Sequence, residues 1–165
     1  MLLRDDTRIS VRKLGFAEFE DYRDHLLRLD KAARTARFGA PIDDKAVLTH
    51  CLTLVLGPTL VVAALNRGQV RGACEIQIDA ETGAAQVALS LESAWQGRGH
   101  GRKLMQESLI TCFGTGVDIA GMNVQTGNGR MLKLAKRFGF EARDTAHPGV
   151  FTTHLDSLAP IMTAA

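Results

Sequence analysis

The apolar and polar positions of this chain change period several times, and each change marks an element. TRISVRKL (7–14) alternates and predicts a short strand. In FAEFEDYRDHLLRLDKAARTARF (16–38), Phe19, Tyr22, Leu26, Leu27 and Leu29 recur at helical spacing, predicting one helix stopped by Gly39 and Pro41. IDDKAVLTHCLTLVL (42–56) predicts a second helix, with Asp43 and Asp44 as cap candidates and Gly57-Pro58 as its end. Three strands follow, TLVVAALN (59–66), QVRGACEIQID (69–79) and AAQVALSLE (84–92), joined by turns at Arg67-Gly68 and Thr82-Gly83. Beyond them the pattern gives a helix over about 101–113, a strand over 118–126 and a helix over 129–138 closed by Gly139. Two last strands are read in FEARDT and GVFTTHLD. The layout is one mixed α/β domain containing an antiparallel meander.

Composition narrows the class. A chain of 165 residues, 45% hydrophobic and 23% charged, is sized for one globular core. The net charge of +2 gives no argument for nucleic acid or a membrane as partner. The apolar run 52–65 is short and broken by Gly57-Pro58, and the amino terminus is charged from Arg4 onward, so neither a membrane span nor a secretory leader is expected. Cys51, Cys74 and Cys112 form no CxxC pair. Reduced thiols, no metal site and a cytoplasmic location are the expectation.

One stretch asks for a special explanation. WQGRGHGRKLM (95–105) places Gly97, Gly99 and Gly101 at alternate positions where a helix begins, although glycine is costly to order. The first N–H groups of a helix lack intrahelical partners and the dipole is positive there, so a phosphorylated ligand is stabilised. Glycine removes the β-carbons that would keep it away. From Gln96 to Arg137 the chain carries seven basic and two acidic residues, a local excess larger than the charge of the whole protein. Arg98, Arg102 and Lys133 supply attraction for phosphates by charge. A solvated basic face with a tight turn is the plainer alternative. A P-loop is excluded because Gly101 is followed by Arg102-Lys103-Leu104 rather than Lys-Ser/Thr. A dinucleotide fingerprint is disfavoured because the spacing is GxGxG and ESAWQ separates it from the strand.

Gln96-x-x-Gly99-x-Gly101 resembles the Q/R-x-x-G-x-G/A signature of the GNAT superfamily of acyl-CoA-dependent N-acyltransferases, and VALSLESAWQGRGHGRKLM (87–105) resembles its acyl-CoA motif from strand to helix. NGRMLKLAKRFGF (128–140) is similar to a second landmark, an Asn followed by a Gly-Phe pair closing a helix. The order of elements also matches. The resemblance implies a single GNAT-like domain over 1–165, with a mixed, mostly antiparallel central sheet flanked by about four helices. It implies acetyl-CoA as cosubstrate, with its pyrophosphate on the backbone of Gly97, Arg98, Gly99, His100, Gly101 and Arg102. It further implies that pantetheine pairs with the strand near Leu89 and Leu91, and that Asn128 reaches pantetheine. The implied activity is acetyl transfer to a primary amine of a small molecule or a protein, and a homodimer is compatible with it. HLLRLDKAARTARFGAPIDD (25–44) is similar to the same region of bacterial members related to protein-lysine acetyltransferases.

The chemistry departs from the family at one position. Many members carry a tyrosine seven residues beyond the Asn to protonate the leaving thiolate; here that position is Ala135. A non-catalytic acyl-CoA-binding module is therefore the alternative reading. For a base, Glu75 and Glu92 are the candidates. Ile76 and Ile78 put Glu75, Gln77 and Asp79 on the opposite face of their strand, either as an acidic stripe for a cationic amine or as the wet face of a hairpin. The acceptor itself is not legible.

Overall fold

The computed structural model describes residues 6–158. Seven strands form one sheet: β1 (Ser10–Lys13), β2 (Thr59–Asn66), β3 (Gln69–Asp79), β4 (Ala84–Leu91), β5 (Ile119–Asn123), β6 (Glu141–Ala142) and β7 (Val150–His154). Their order is β1-β2-β3-β4-β5-β7-β6. Every neighbouring pair is antiparallel except β4 and β5, which a helical crossover joins in parallel. Five α-helices accompany the sheet: α1 (Phe19–Arg28), α2 (Lys31–Phe38), α3 (Asp44–Thr53), α4 (His100–Gly114) and α5 (Gly129–Arg137). None of the described helices is long and apolar enough to cross a membrane.

The single helix expected over 16–38 is two helices preceded by a short 3-10 turn. Leu29 takes an extended ψ of 131°, and the Asp30 side chain accepts from the Ala33 N–H at 2.9 Å, starting α2 anew. The apolar spacing runs through this joint, which is why periodicity alone did not separate the halves.

Two cores pack on the two faces of the sheet. Along β2, Val61, Ala63 and Leu65 face Tyr22, Leu26, Ala33 and Val47 of α1–α3, while Val62 and Ala64 face Leu104, Met105 and Leu109 of α4. The strand is thus buried on both sides. Cys74 and Cys112 lie in the α4-side core, and burial raises their thiols to about 11 and about 12, so they are inert.

Candidate acyl-CoA groove and acceptor site

The bend after β4 is built by Gln96. Its Nε2 donates to the Leu91 carbonyl at 2.9 Å and its Oε1 accepts from Arg130 Nη1 at 3.0 Å, tying the strand end to α5. Gly97 and Gly99 then adopt φ of +72° and +82°, which side chains rarely tolerate. A β-carbon on either would meet nothing within 4 Å, so these glycines serve the backbone path and border open space. Gly101 differs: its φ is not positive, and an added β-carbon would lie 3.8 Å from Leu134 of α5. Among the described residues, the backbone N–H groups from Gly97 to Arg102 find no acceptor, and the first return bond is Lys103 N to Gly99 O at 3.3 Å. Six consecutive free donors at the positive end of a helix make a cradle of the kind that suits an anion.

Beside this cradle the sheet opens. β4 and β5 are registered only at Ala84–Ile119, Ala85–Ala120 and Gln86–Gly121. Beyond that point β5 continues with β7 alone, and the β4 edge from Val87 to Leu91 is released. Two adjoining grooves follow the opening. One, of 440 Å³, is walled by Leu89, Leu91, Gln96, Gly97, Gly99, Gly101, Arg102, Asn128 and Lys133, all expected from the sequence. Arg98 and His100 are the exceptions: neither side chain lines it. The His100 ring instead leans on Trp95, 5.8 Å between centroids. Asn128 Oδ1 accepts from the Met131 N–H at 3.2 Å and caps α5, while its Nδ2 makes no bond within the described protein.

The second groove, of 830 Å³, shares Ala36, Leu89, Asn128 and Met131 with the first and continues past the opened strands to Arg37, His50, Glu75 and Gln77. Here the expected acidic stripe is corrected. Gln77 and Asp79 are exposed, and Asp79 caps the following turn through the Glu81 N–H at 2.9 Å. Glu75 is only 2% exposed because α1–α3 cover that end of the strand face. Its Oε2 accepts from Tyr22 Oη (2.8 Å) and Arg37 Nη2 (2.7 Å) and meets His50 Nε2 (2.8 Å), while Oε1 accepts from Gln77 Nε2 (2.7 Å). Burial pushes the carboxyl up, but the His50 hydrogen bond and the Arg37 charge outweigh it and hold the group at about 2. Burial pushes the Tyr22 hydroxyl well up, so it stays a donor.

Sequence reasoning missed Tyr22, Arg37 and His50. Only the family-like segment HLLRLDKAARTARFGAPIDD (25–44), which carries Arg34 and Arg37, held a signal. Arg34 pairs with Asp44 at 2.8 Å and donates to the carbonyls of Leu27 and Ile42, so it frames the site while Arg37 enters it.

Glu92 lines neither groove. It is held by Arg28 (3.0 Å), Arg71 (3.2 Å) and the buried His25 (3.2 Å), whose Nε2 meets Ser90 Oγ at 2.9 Å. Burial raises its carboxyl, and the bonds from His25 and Arg28 lower it further than that. Ala135 is 1% exposed within the α4-side core, so α5 brings no hydroxyl to the groove at that position. Among the described residues, no three metal-ligating side chains gather.

The chain matches the model of the acetyltransferase (GNAT) family over residues 23–140. No curated protein matches it in sequence. Among solved structures, the GNAT domain of S. lividans PAT is similar, with a TM-score of 0.72 and 20% identity over 88% of this chain and 90% of that one. The aminoglycoside acetyltransferase AAC(6')-Ib, solved in complex with coenzyme A, gives 0.70 and 13% over 93% and 98%. YncA of Salmonella typhimurium, solved with acetyl-CoA, gives 0.65 and 18% over 90% and 95%. At these identities the likeness establishes the fold.

Proposed function

Because the chain belongs to the acetyltransferase (GNAT) family, we propose that it transfers the acetyl group of acetyl-CoA to a primary amine of a small molecule or a protein. The observation that carries this reading is the continuity of three features. A cradle of six free N–H groups leads along a released strand edge into a groove that ends at a charged, partly enclosed pocket. The cradle suits a pyrophosphate, Arg102 and Lys133 add positive charge, and the free β4 edge between Val87 and Leu91 suits the amides of a pantetheine arm.

In the reaction the amine nitrogen attacks the thioester carbonyl carbon, the C–N bond forms, and the C–S bond breaks with its electron pair leaving on sulfur. A thiol of pKa about 8.5 leaves tolerably as thiolate and takes its proton from solvent. The absence of a hydroxyl at Ala135 therefore does not stop turnover. It is also the one observation favouring the alternative, an acyl-CoA-binding module without catalysis.

Two measurements decide. Acetyl-CoA at 100 times its dissociation constant should add about 2.7 kcal/mol to stability. No thermal shift at millimolar acetyl-CoA, in protein free of copurified ligand, ends the reading. Release of free thiol is then followed with ethanolamine, putrescine and Nα-acetyl-lysine amide as acceptors. A thermal shift without turnover selects the binding module.

A further inference from the structure

Every account of acetyl transfer needs a group to take the proton of the acceptor ammonium, and Glu75 is poorly suited to it. Its Oε2 already faces three partners and its Oε1 a fourth. A carboxyl held at about 2 is also far too weak a base, some eight orders of magnitude below an alkylamine of pKa about 10.

The neighbouring imidazole has the geometry that Glu75 lacks. His50 reaches the 830 Å³ groove from α3 with 22% of its side chain exposed, and its ring stands edge-on to Phe38 at 5.2 Å between centroids. Its Nε2 lies 2.8 Å from a carboxylate that can only accept, so Nε2 carries a hydrogen. In the neutral ring, Nδ1 then holds the lone pair, and it has no partner among the described residues. We propose that His50 Nδ1 is the base that takes the proton of the acceptor amine, with Glu75 the positioning residue that fixes the ring's tautomer and balances the imidazolium.

This rests on the acetyl-transfer reading. The proton moves from the ammonium nitrogen to Nδ1, the freed lone pair attacks the thioester carbonyl, and the imidazolium gives the proton to solvent. The ring meets Glu75 of β3 and stands against Phe38 of α2; Arg37 of α2 and Tyr22 of α1 share the same Glu75 oxygen, and Arg23 and Asp24 of α1 act on the adjoining Cys51. Imidazole is the side chain whose protonation changes near neutral pH, where such a base works best.

The test compares the full-length parent with His50→Gln and Glu75→Gln, using acetyl-CoA and whichever of ethanolamine, putrescine and Nα-acetyl-lysine amide the parent acetylates fastest. For His50→Gln at neutral pH, kcat/KM for the amine should fall about 10² to 10⁴-fold, with the acetyl-CoA thermal shift unchanged. The deficit should shrink as pH rises and more amine arrives neutral. An unchanged rate overturns the proposal, as does an equal loss at every pH with a raised amine KM, which would make His50 a binding group. So does a Glu75→Gln variant that abolishes the pH dependence while His50→Gln keeps it. Nitrogen NMR of the parent gives a readout independent of turnover: the neutral ring should be the Nε2–H tautomer, and Glu75→Gln should lose that preference. A fixed Nδ1–H tautomer sinks the assignment even if acetyl transfer is active. If no amine is acetylated by the parent, the acetyl-transfer reading fails first and the base assignment with it.

Discussion

Gly99 offers the sharpest test of the anion cradle, because its two roles separate in one residue. Its φ of +82° and ψ of 0° lie in the left-handed region, while a β-carbon there would touch nothing within 4 Å. Gly99→Ala therefore pays a backbone cost of about 1–2 kcal/mol and no steric one. For a protein of this size each kcal/mol moves the melting temperature by about 2–4 °C, so a fall of roughly 2–8 °C is expected. Gly99→Glu bears the same backbone cost, part of it recovered because a carboxylate is favourable at a helix N-terminus. Its side chain, however, fills the open space beside the N–H groups of residues 97–102 and puts negative charge where a pyrophosphate would bind. Gly101→Ala is the internal control. That glycine has no positive φ and an added β-carbon makes an ordinary 3.8 Å contact with Leu134, so about 0.5–1 kcal/mol of stabilisation is expected.

Differential scanning fluorimetry of the three variants and the parent, with and without millimolar acetyl-CoA, reads both effects together. The parent should gain several degrees from the ligand and Gly99→Glu none. A full ligand shift in Gly99→Glu would show that the free N–H groups are not the phosphate site. A Gly99→Ala variant as stable as the parent would show that the bend does not need a left-handed residue there.

Two further outcomes follow from the charged and capped groups. Glu75 titrates at about 2 in the folded protein against an ordinary value near 4.5. Its contribution is therefore complete above pH 5 and lost as pH falls toward 2, roughly 3 kcal/mol in all. Urea denaturation from pH 7 to pH 3 should show Glu75→Gln less acid-sensitive than the parent, and parallel curves would contradict the buried pairing. Asp30→Ala removes the cap of α2 and the partner of Ser93, and should cost about 1 kcal/mol by the same measurement; no loss would mean that the joint between α1 and α2 is set by other contacts.

The two kinds of signal in the sequence had different fates, and the reason is range. Gly39 and Gly139 close helices with φ of +76° and +73°, where the sequence pattern puts helix ends, because a helix end is decided within a few residues. The bend at Gly97 and Gly99 was legible for the same reason. Glu75 was not, because its environment comes from residues 53, 38 and 25 positions away in the chain. Alternation along β3 correctly separates Ile76 from Glu75, but period two says only that two faces exist, not what covers each. A strand with one wet face and a strand roofed by helices at one end have the same pattern. Here α1–α3 roof the end carrying Ala73 and Glu75 and leave Gln77 and Asp79 in solvent. The carboxylate is therefore fully paired, and among its partners in the groove His50, unlike the guanidinium of Arg37, keeps a ring nitrogen that can accept a proton. A local pattern can find an acidic residue on the right face; only the packing of distant helices decides whether that residue accepts the proton or orients the one that does.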